Sequence, residues 1–189
     1  MRTVALRVVA LALLLLLALV AVLSVRTLDR LPDVTLYLVR ADERSFTLES
    51  VYRRVRVEPR GSDPSSAERD ADHEVVPIVR AAIEALVAGP TAAEAARGLS
   101  SAVPSATRVL SVGVERGLVT IDLSEEFVAG GGTASMLARL HQVRYSAARP
   151  RAVEEVALRV EGEPLRVLGG EGIMVEERWR PDGAALPRW

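Results

Sequence analysis

Hydrophobic and polar positions divide the chain into one unbroken apolar run, Val8 to Val25, and a remainder in which periods of two and of 3.6 alternate. The run, VVALALLLLLALVAVLSV, has Ser24 as its only polar side chain and arginines on both flanks. About 18 residues at ~1.5 Å rise span about 27 Å, close to the ~30 Å hydrocarbon core of a bilayer, so the run predicts a transmembrane helix. Arg2, Arg7 and the amino terminus precede it, whereas Arg26 and Arg30 are accompanied by Asp29 and Asp33. The positive-inside rule then puts residues 1–7 in the cytoplasm and everything after the anchor, 8–25, outside the cell membrane in a single-pass arrangement. A cleaved signal peptide is the competing reading, with Val22-Leu23-Ser24 as its cleavage site. The run is longer than the roughly 7 to 15 residues of a signal core, and no A-x-A sequence follows it. The direction of export is the same in both readings.

A tether over 26–33 leads into a domain predicted over 34–176, with a Pro-bearing irregular tail over 177–189. Val34 to Val39 alternates like a half-buried strand, and Val51 to Val57 predicts a second, with Val51, Val55 and Val57 on one face and Tyr52, Arg54 and Arg56 on the outer one, its arginines solvated. Glu58 to Asp72, rich in Pro, Gly, Ser and charge, reads as a mobile surface loop. Ile78, Val79, Ala82, Ile83, Leu86 and Val87 form a helical stripe, which Pro77 places near the helix start and Gly89-Pro90 ends. Thr91-Ala92-Ala93-Glu94 is a capping-box pattern that predicts a short helix to Arg97, stopped by Gly98.

Val109–Val114 and Leu118–Leu123 flank a Glu115-Arg116-Gly117 turn and predict a hairpin, with Val119, Ile121 and Leu123 on one face. After Gly130-Gly131-Gly132, Thr133 is placed as the N-cap of a helix from Ala134 to about Ala147, with the stripe Met136, Leu137, Leu140, Val143 and Ala147. Period two then returns in Val156, Leu158 and Val160, turns at Glu161-Gly162 and continues through Leu165 and Val167; Ile173-Met174-Val175 is a short closing strand. The order β-β-α-β-β-α-β-β predicts an α+β fold, two main helices on a mostly antiparallel sheet.

Composition narrows the chemistry. There is no cysteine, which removes disulfides, zinc-thiolate sites, thiol nucleophiles and an acylated lipoprotein cysteine. The formal net charge is −1 and no basic block is present, so nucleic acid is not an expected partner. All 24 basic residues are arginine, which reflects coding bias before function. His73 and His141 are the two histidines, and His73-Glu74 lacks a second histidine at zinc-binding spacing. Asp122, Glu125 and Glu126 are the one acidic cluster. They read as a strand-end cap and turn, with Asp122 or Ser124 accepting a backbone hydrogen bond and Phe127 entering the core; Ca²⁺ binding and acid–base chemistry are the sharper alternatives. Neither a metal nor a cofactor is expected.

Five short motifs in fixed order go further than composition. Tyr37, Ala85-Leu86-Val87-Ala88-Gly89-Pro90, Gly98-Leu99-Ser100-Ser101-Ala102-Val103-Pro104-Ser105-Ala106-Thr107, Val119-Thr120-Ile121-Asp122-Leu123-Ser124-Glu125-Glu126-Phe127 and Leu140-His141-Gln142-Val143 together resemble the GerMN domain of bacterial sporulation and spore-germination proteins. The likeness continues through Val153 to Gly162 and Leu168-Gly169-Gly170, and so covers about 34–175. The resemblance implies an exported envelope module without known catalytic residues, present here in one copy and with a transmembrane run where many members carry a lipobox cysteine. Tyr37, Gly89, Pro90, Pro104, Asp122, Ser124 and Phe127 are its candidate signature or contact residues.

The expected function is therefore a non-enzymatic, membrane-anchored module that binds or scaffolds an envelope protein or peptidoglycan. Two alternatives stand beside it. One is a cell-wall hydrolase or accessory subunit using Asp122, Glu125 and Glu126; the other is a small-ligand carrier with a deep pocket between sheet and helices.

Overall fold

The computed structural model describes residues 33–41, 45–55, 70–169, 172–181 and 186, with the side chains of 70–74 left aside. The apolar run Val8 to Val25 lies outside them. Among the described residues, no helix is long and apolar enough to cross a membrane.

The fold is mixed α+β. Strands β1 (Asp33–Ala41) and β2 (Phe46–Arg54) form an antiparallel hairpin joined on the other side of β1 by a two-residue strand β3 (Leu99–Ser100), giving the order β2-β1-β3. Helix α1 (Asp70–Val87) and the short α2 (Ala92–Ala96) lie between β2 and β3 in sequence. A second sheet has the order β4-β5-β6-β7, from β4 (Val109–Glu115), β5 (Leu118–Leu123), β6 (Glu155–Val160) and β7 (Glu163–Pro164). Between β5 and β6 run a 3₁₀ turn (Glu125–Val128) and helix α3 (Thr133–Ala147). Strands β8 (Val167–Leu168) and β9 (Ile173–Met174) pair with each other alone.

Two main helices and mostly antiparallel pairing agree with the sequence pattern, but the strands form three sheets rather than one. β5 and β6 are parallel, because the crossover through α3 returns the chain in its original direction. The second predicted hairpin is short: after the Glu161-Gly162 turn, β7 lasts two residues, and Val167 belongs to the β8–β9 pair. Strand β2 starts at Phe46 and ends at Arg54, ahead of the predicted Val51–Val57. Helix α1 begins at Asp70, which puts Pro77 in its interior rather than its first turn. The missing N–H costs a bond to the carbonyl four residues earlier. Val75, buried one turn before α1 reaches Val79, offsets part of that cost. Of the predicted loop Glu58 to Asp72, residues 70–72 already belong to α1, and the rest lies outside the described residues.

The main core gathers Leu36 and Leu38 of β1, Val79, Ile83 and Leu86 of α1, Val119, Ile121 and Leu123 of β5, and Leu140 and Val143 of α3. Each such side chain, fully buried, contributes roughly 1.5–3 kcal/mol. β1 is buried on both faces: Tyr37 and Val39 meet Leu48 and Ala138 in a smaller cluster on the opposite side. Phe127, from the turn after β5, is fully enclosed. Trp179 joins this core at 8% exposure, its backbone bridging Val156 on β6 and its ring edge-on to Tyr145 at 4.9 Å. Trp179 is therefore packed into the fold, within a segment whose one regular feature among the described residues is that bridge.

The turns follow the sequence closely. Arg116 and Gly117, at φ 49° and 79°, make the two-residue hairpin between β4 and β5, and Gly89, at φ 82°, ends α1 in the left-handed conformation that glycine adopts without strain. The capping box of α2 is complete, Thr91 Oγ1 accepting from the Glu94 N–H while Glu94 accepts from the Thr91 N–H. α3 differs by one residue: Gly132, not Thr133, is its N-cap, and no side chain caps it.

Candidate functional site

The residues singled out in the sequence do not converge. Gly89 and Pro90 lie at the end of α1, Asp122, Ser124 and Phe127 at the end of β5, Pro104 in the loop after β3, and Tyr37 in the middle of β1. What each does can be read from its bonds. The Gly89 carbonyl accepts from Arg53 Nη2 at 2.9 Å. The Pro104 carbonyl accepts from the Thr107 N–H at 3.0 Å, closing a turn. Asp122 Oδ1 accepts from the Gly162 N–H at 3.0 Å, so it caps the turn of the neighbouring hairpin rather than its own backbone. Ser124, fully buried, exchanges bonds with Arg108: its Oγ accepts the Arg108 N–H at 2.9 Å and its N–H donates to the Arg108 carbonyl at 3.0 Å. Glu126 faces Arg108 at 3.8 Å, and hydrogen bonding from Ser124 first, with its own backbone and Arg108 after, holds its carboxyl below the usual glutamate range. Among the described residues, no group of three or more His, Cys, Asp or Glu side chains is arranged to hold a metal ion.

Two buried polar assemblies escape the sequence pattern. Arg53 on β2 donates to Glu94 Oε1 at 3.1 Å and to Glu94 Oε2, and also to the carbonyls of Ala85 at 3.1 Å and Gly89 at 2.9 Å. One guanidinium thus closes the C-terminal end of α1, where a cation is favoured, and joins it to the capping box of α2. That pairing first, and Thr91 after it, lower the Glu94 carboxyl from its ordinary value. The second assembly is α3, which buries Arg139, Gln142, Arg144 and Ser146 as well as its apolar stripe. Arg139 donates to the carbonyls of Ala102, Phe127, Ala129 and Gly130 at 3.1, 2.5, 3.1 and 3.1 Å, tying the loop after β3 to the turn after β5. Arg144 donates to the Glu176 carbonyl at 2.9 Å and stacks over Trp179 at 5.6 Å; burial lowers its guanidinium to about 10. Burial and Arg144 also push His141 below the usual histidine value, which leaves a neutral ring at neutral pH rather than a charged contact.

The surface where exposed chemistry gathers is the second face of the first sheet. Tyr37 pairs with Ser50 and Thr35 with Tyr52, so Tyr37, Ser50 and Tyr52 share that face by the two-residue period. Tyr37 is buried, its ring 5.5 Å from that of Tyr145, and the exposed Arg149, just past α3, places its guanidinium 5.2 Å above the Tyr37 ring. Burial raises the Tyr37 phenol above its ordinary value, and Arg149 opposes the rise. Tyr37, Ser50, Tyr145, Ala148, Arg149, Pro181 and Leu186 line a groove of about 350 Å³. Tyr52 stands beside it at 74% exposure. The sequence marks Tyr37, and the two-residue period puts Tyr52 on the outer face of its strand; Arg149 has no pattern to mark it, and the meeting of the three depends on the register of β1 with β2 and on where α3 ends.

Comparison with known proteins agrees with this fold. The tandem GerMN domains of the sporulation protein GerM from Bacillus subtilis superpose with a TM-score of 0.55 at 20% identity, covering 79% of this chain and 44% of that one. The first GerMN domain of the same protein gives 0.56 at 16% identity, covering 79% of this chain and 97% of that one. The chain thus spans less than half of the tandem structure and matches one of its domains nearly end to end. No curated protein sequence matches it. The Germane family model, described as sporulation and spore germination, matches residues 35–166, and the chain belongs to that family.

Proposed function

We propose that this protein is a membrane-anchored, extracytoplasmic module of the bacterial cell envelope that binds an envelope partner without turning it over. The anchor is the apolar run Val8 to Val25, oriented by Arg2 and Arg7. Family membership supports an envelope setting related to sporulation or the cell wall. The observation that carries the binding role is the face formed by Tyr52, Ser50 and Arg149 over the buried Tyr37, where one exposed aromatic ring and a guanidinium stand at the surface of a sheet whose interior is packed. Of the acidic residues at the end of β5, Asp122 holds the Glu161-Gly162 turn and Glu126 faces Arg108. A short tether keeps such a face close to the bilayer and raises its effective concentration toward wall and membrane components.

The experiment is made on the full chain expressed in a bacterium. Protease added to intact spheroplasts is expected to cleave the domain while a cytoplasmic marker survives, and the detergent-solubilised chain is expected to sediment with isolated cell walls. A domain protected from protease until the membrane is broken would contradict the topology.

A further inference from the structure

We propose that the groove beside Tyr37 is a binding site for an acidic sugar, a pyranose carrying a carboxylate. This rests on the envelope reading above and names the ligand class of the same face. Its cation is Arg149, exposed and held over the Tyr37 ring. Among the described residues no carboxylate forms an ion pair with Arg149, although nine other arginines have such partners. A guanidinium fixed in orientation by an aromatic ring presents a planar fork that suits a carboxylate. Ser50, partly exposed on the adjacent strand, offers a hydroxyl to the hydroxyls of the ligand. Tyr52, two residues further along β2 on the same face, supplies a flat amphipathic ring against which one side of a pyranose can lie. The volume, about 350 Å³, is at the small end of ligand sites and suits one or two sugar rings.

A peptide strand fits less well. Sheet addition at this point of β1 needs free backbone groups, and those of Tyr37 are taken: its N–H donates to Ser146 Oγ at 3.1 Å and its carbonyl accepts from Gln142 Nε2 at 2.8 Å. Recognition in the groove therefore falls to side chains: the phenols of Tyr37 and Tyr145, the Ser50 hydroxyl and the Arg149 guanidinium, beside the apolar Ala148, Pro181 and Leu186.

The test titrates the detergent-solubilised full chain by calorimetry with N-acetylmuramic acid, glucuronic acid, N-acetylglucosamine and acetyl-Ala-Ala. Saturable binding of either acid, with N-acetylglucosamine at least tenfold weaker, is the expected result; N-acetylmuramic acid stands for wall glycan stripped of its stem peptide, whose lactyl carboxylate is free, and glucuronic acid for another acidic polysaccharide. Arg149→Gln is expected to weaken the acid at least tenfold and Tyr52→Ala about fivefold, with unchanged unfolding midpoints since both side chains are exposed. Equal affinity for the neutral sugar, a preference for the dipeptide, no saturation by either acid, or full affinity in Arg149→Gln would each overturn the assignment. A chain that sediments with cell walls yet binds neither acid would remove this site and leave the envelope reading standing.

Discussion

Gln142 occupies the place of a missing strand beside Tyr37. β3 pairs with β1 only at Val39 and Arg40, so the backbone of Tyr37 on that edge has no strand to meet. Gln142, fully buried on α3, donates from Nε2 to the Tyr37 carbonyl at 2.8 Å and accepts the Ala102 N–H on Oε1, also at 2.8 Å. Its amide bridges the two chain segments as a peptide group would, and Ser146 completes the edge by accepting the Tyr37 N–H.

Gln142→Leu keeps the volume and removes both bonds. It leaves a carbonyl and an N–H buried without partners, at a cost of about 2–4 kcal/mol. Urea unfolding of the detergent-solubilised full chain measures it, and a loss below about 1 kcal/mol would show that Gln142 is not bridging the edge. Gln142→Glu retains the acceptor for Ala102 but sets a carboxylate against the Tyr37 carbonyl, and is expected to cost at least as much at neutral pH.

The Arg53–Glu94 pair makes stability fall in acid. Glu94 titrates below its ordinary value in the folded chain, so its contribution is complete above the unfolded value of 4.5 and is lost as pH falls through the lower folded value. Glu94→Gln should flatten that part of the profile and lower stability at pH 7 by about 1–3 kcal/mol, Arg53 keeping its bonds to the Ala85 and Gly89 carbonyls. Parallel acid profiles for the two proteins, followed by circular dichroism, would refute the linkage.

Gly169 cannot carry a side chain where it stands. Its φ is 74°, and a Cβ there would lie 2.0 Å from Met136 Sδ. Gly169→Ala combines left-handed strain with displacement of the Met136 tip, and about 1–3 kcal/mol is expected. In a double-mutant cycle with Met136→Ala the loss should shrink by about 1 kcal/mol, because the clash disappears while the strain remains. Strict additivity would place the whole effect in the backbone.

Arg139 is a test of geometry rather than charge. Its fork reaches four carbonyls from two loops, which a lysine ammonium on a single stem does not reproduce. Arg139→Lys is expected to destabilise by about 2–4 kcal/mol. Thermal melts showing Arg139→Lys close to the parent protein would contradict this.

Much of the fold is visible in the sequence where local rules act alone. The Glu115-Arg116-Gly117 turn, the Thr91/Glu94 capping box and Gly89 each depend on residues within four positions of one another. The apolar stripe of α1 points to the core as its periodicity predicts, and that of α3 does so except at Leu137, which is half-buried outside the core. Long-range pairing is not visible in this way. Arg139, Gln142 and Ser146 look like the polar face of an amphipathic helix, yet they are buried, because their partners are backbone groups 9 to 109 residues away. Arg53 falls by the two-residue period on the face of Val51 and Val55, with nothing nearby in the sequence to pair it; only the turn of α1 into α2 brings Glu94 to it. Of the contact face, Tyr37 and the outward direction of Tyr52 are legible, while their meeting with Arg149 comes through register and helix length.

Sedimentation of the detergent-solubilised full chain with isolated cell walls, compared between the parent protein and Tyr52→Ala, tests most directly whether this face binds the envelope. The parent protein is predicted to enter the pellet and Tyr52→Ala to stay largely in the supernatant, with the same unfolding midpoint. A parent protein that remains in the supernatant, or a variant that pellets equally, would contradict the account.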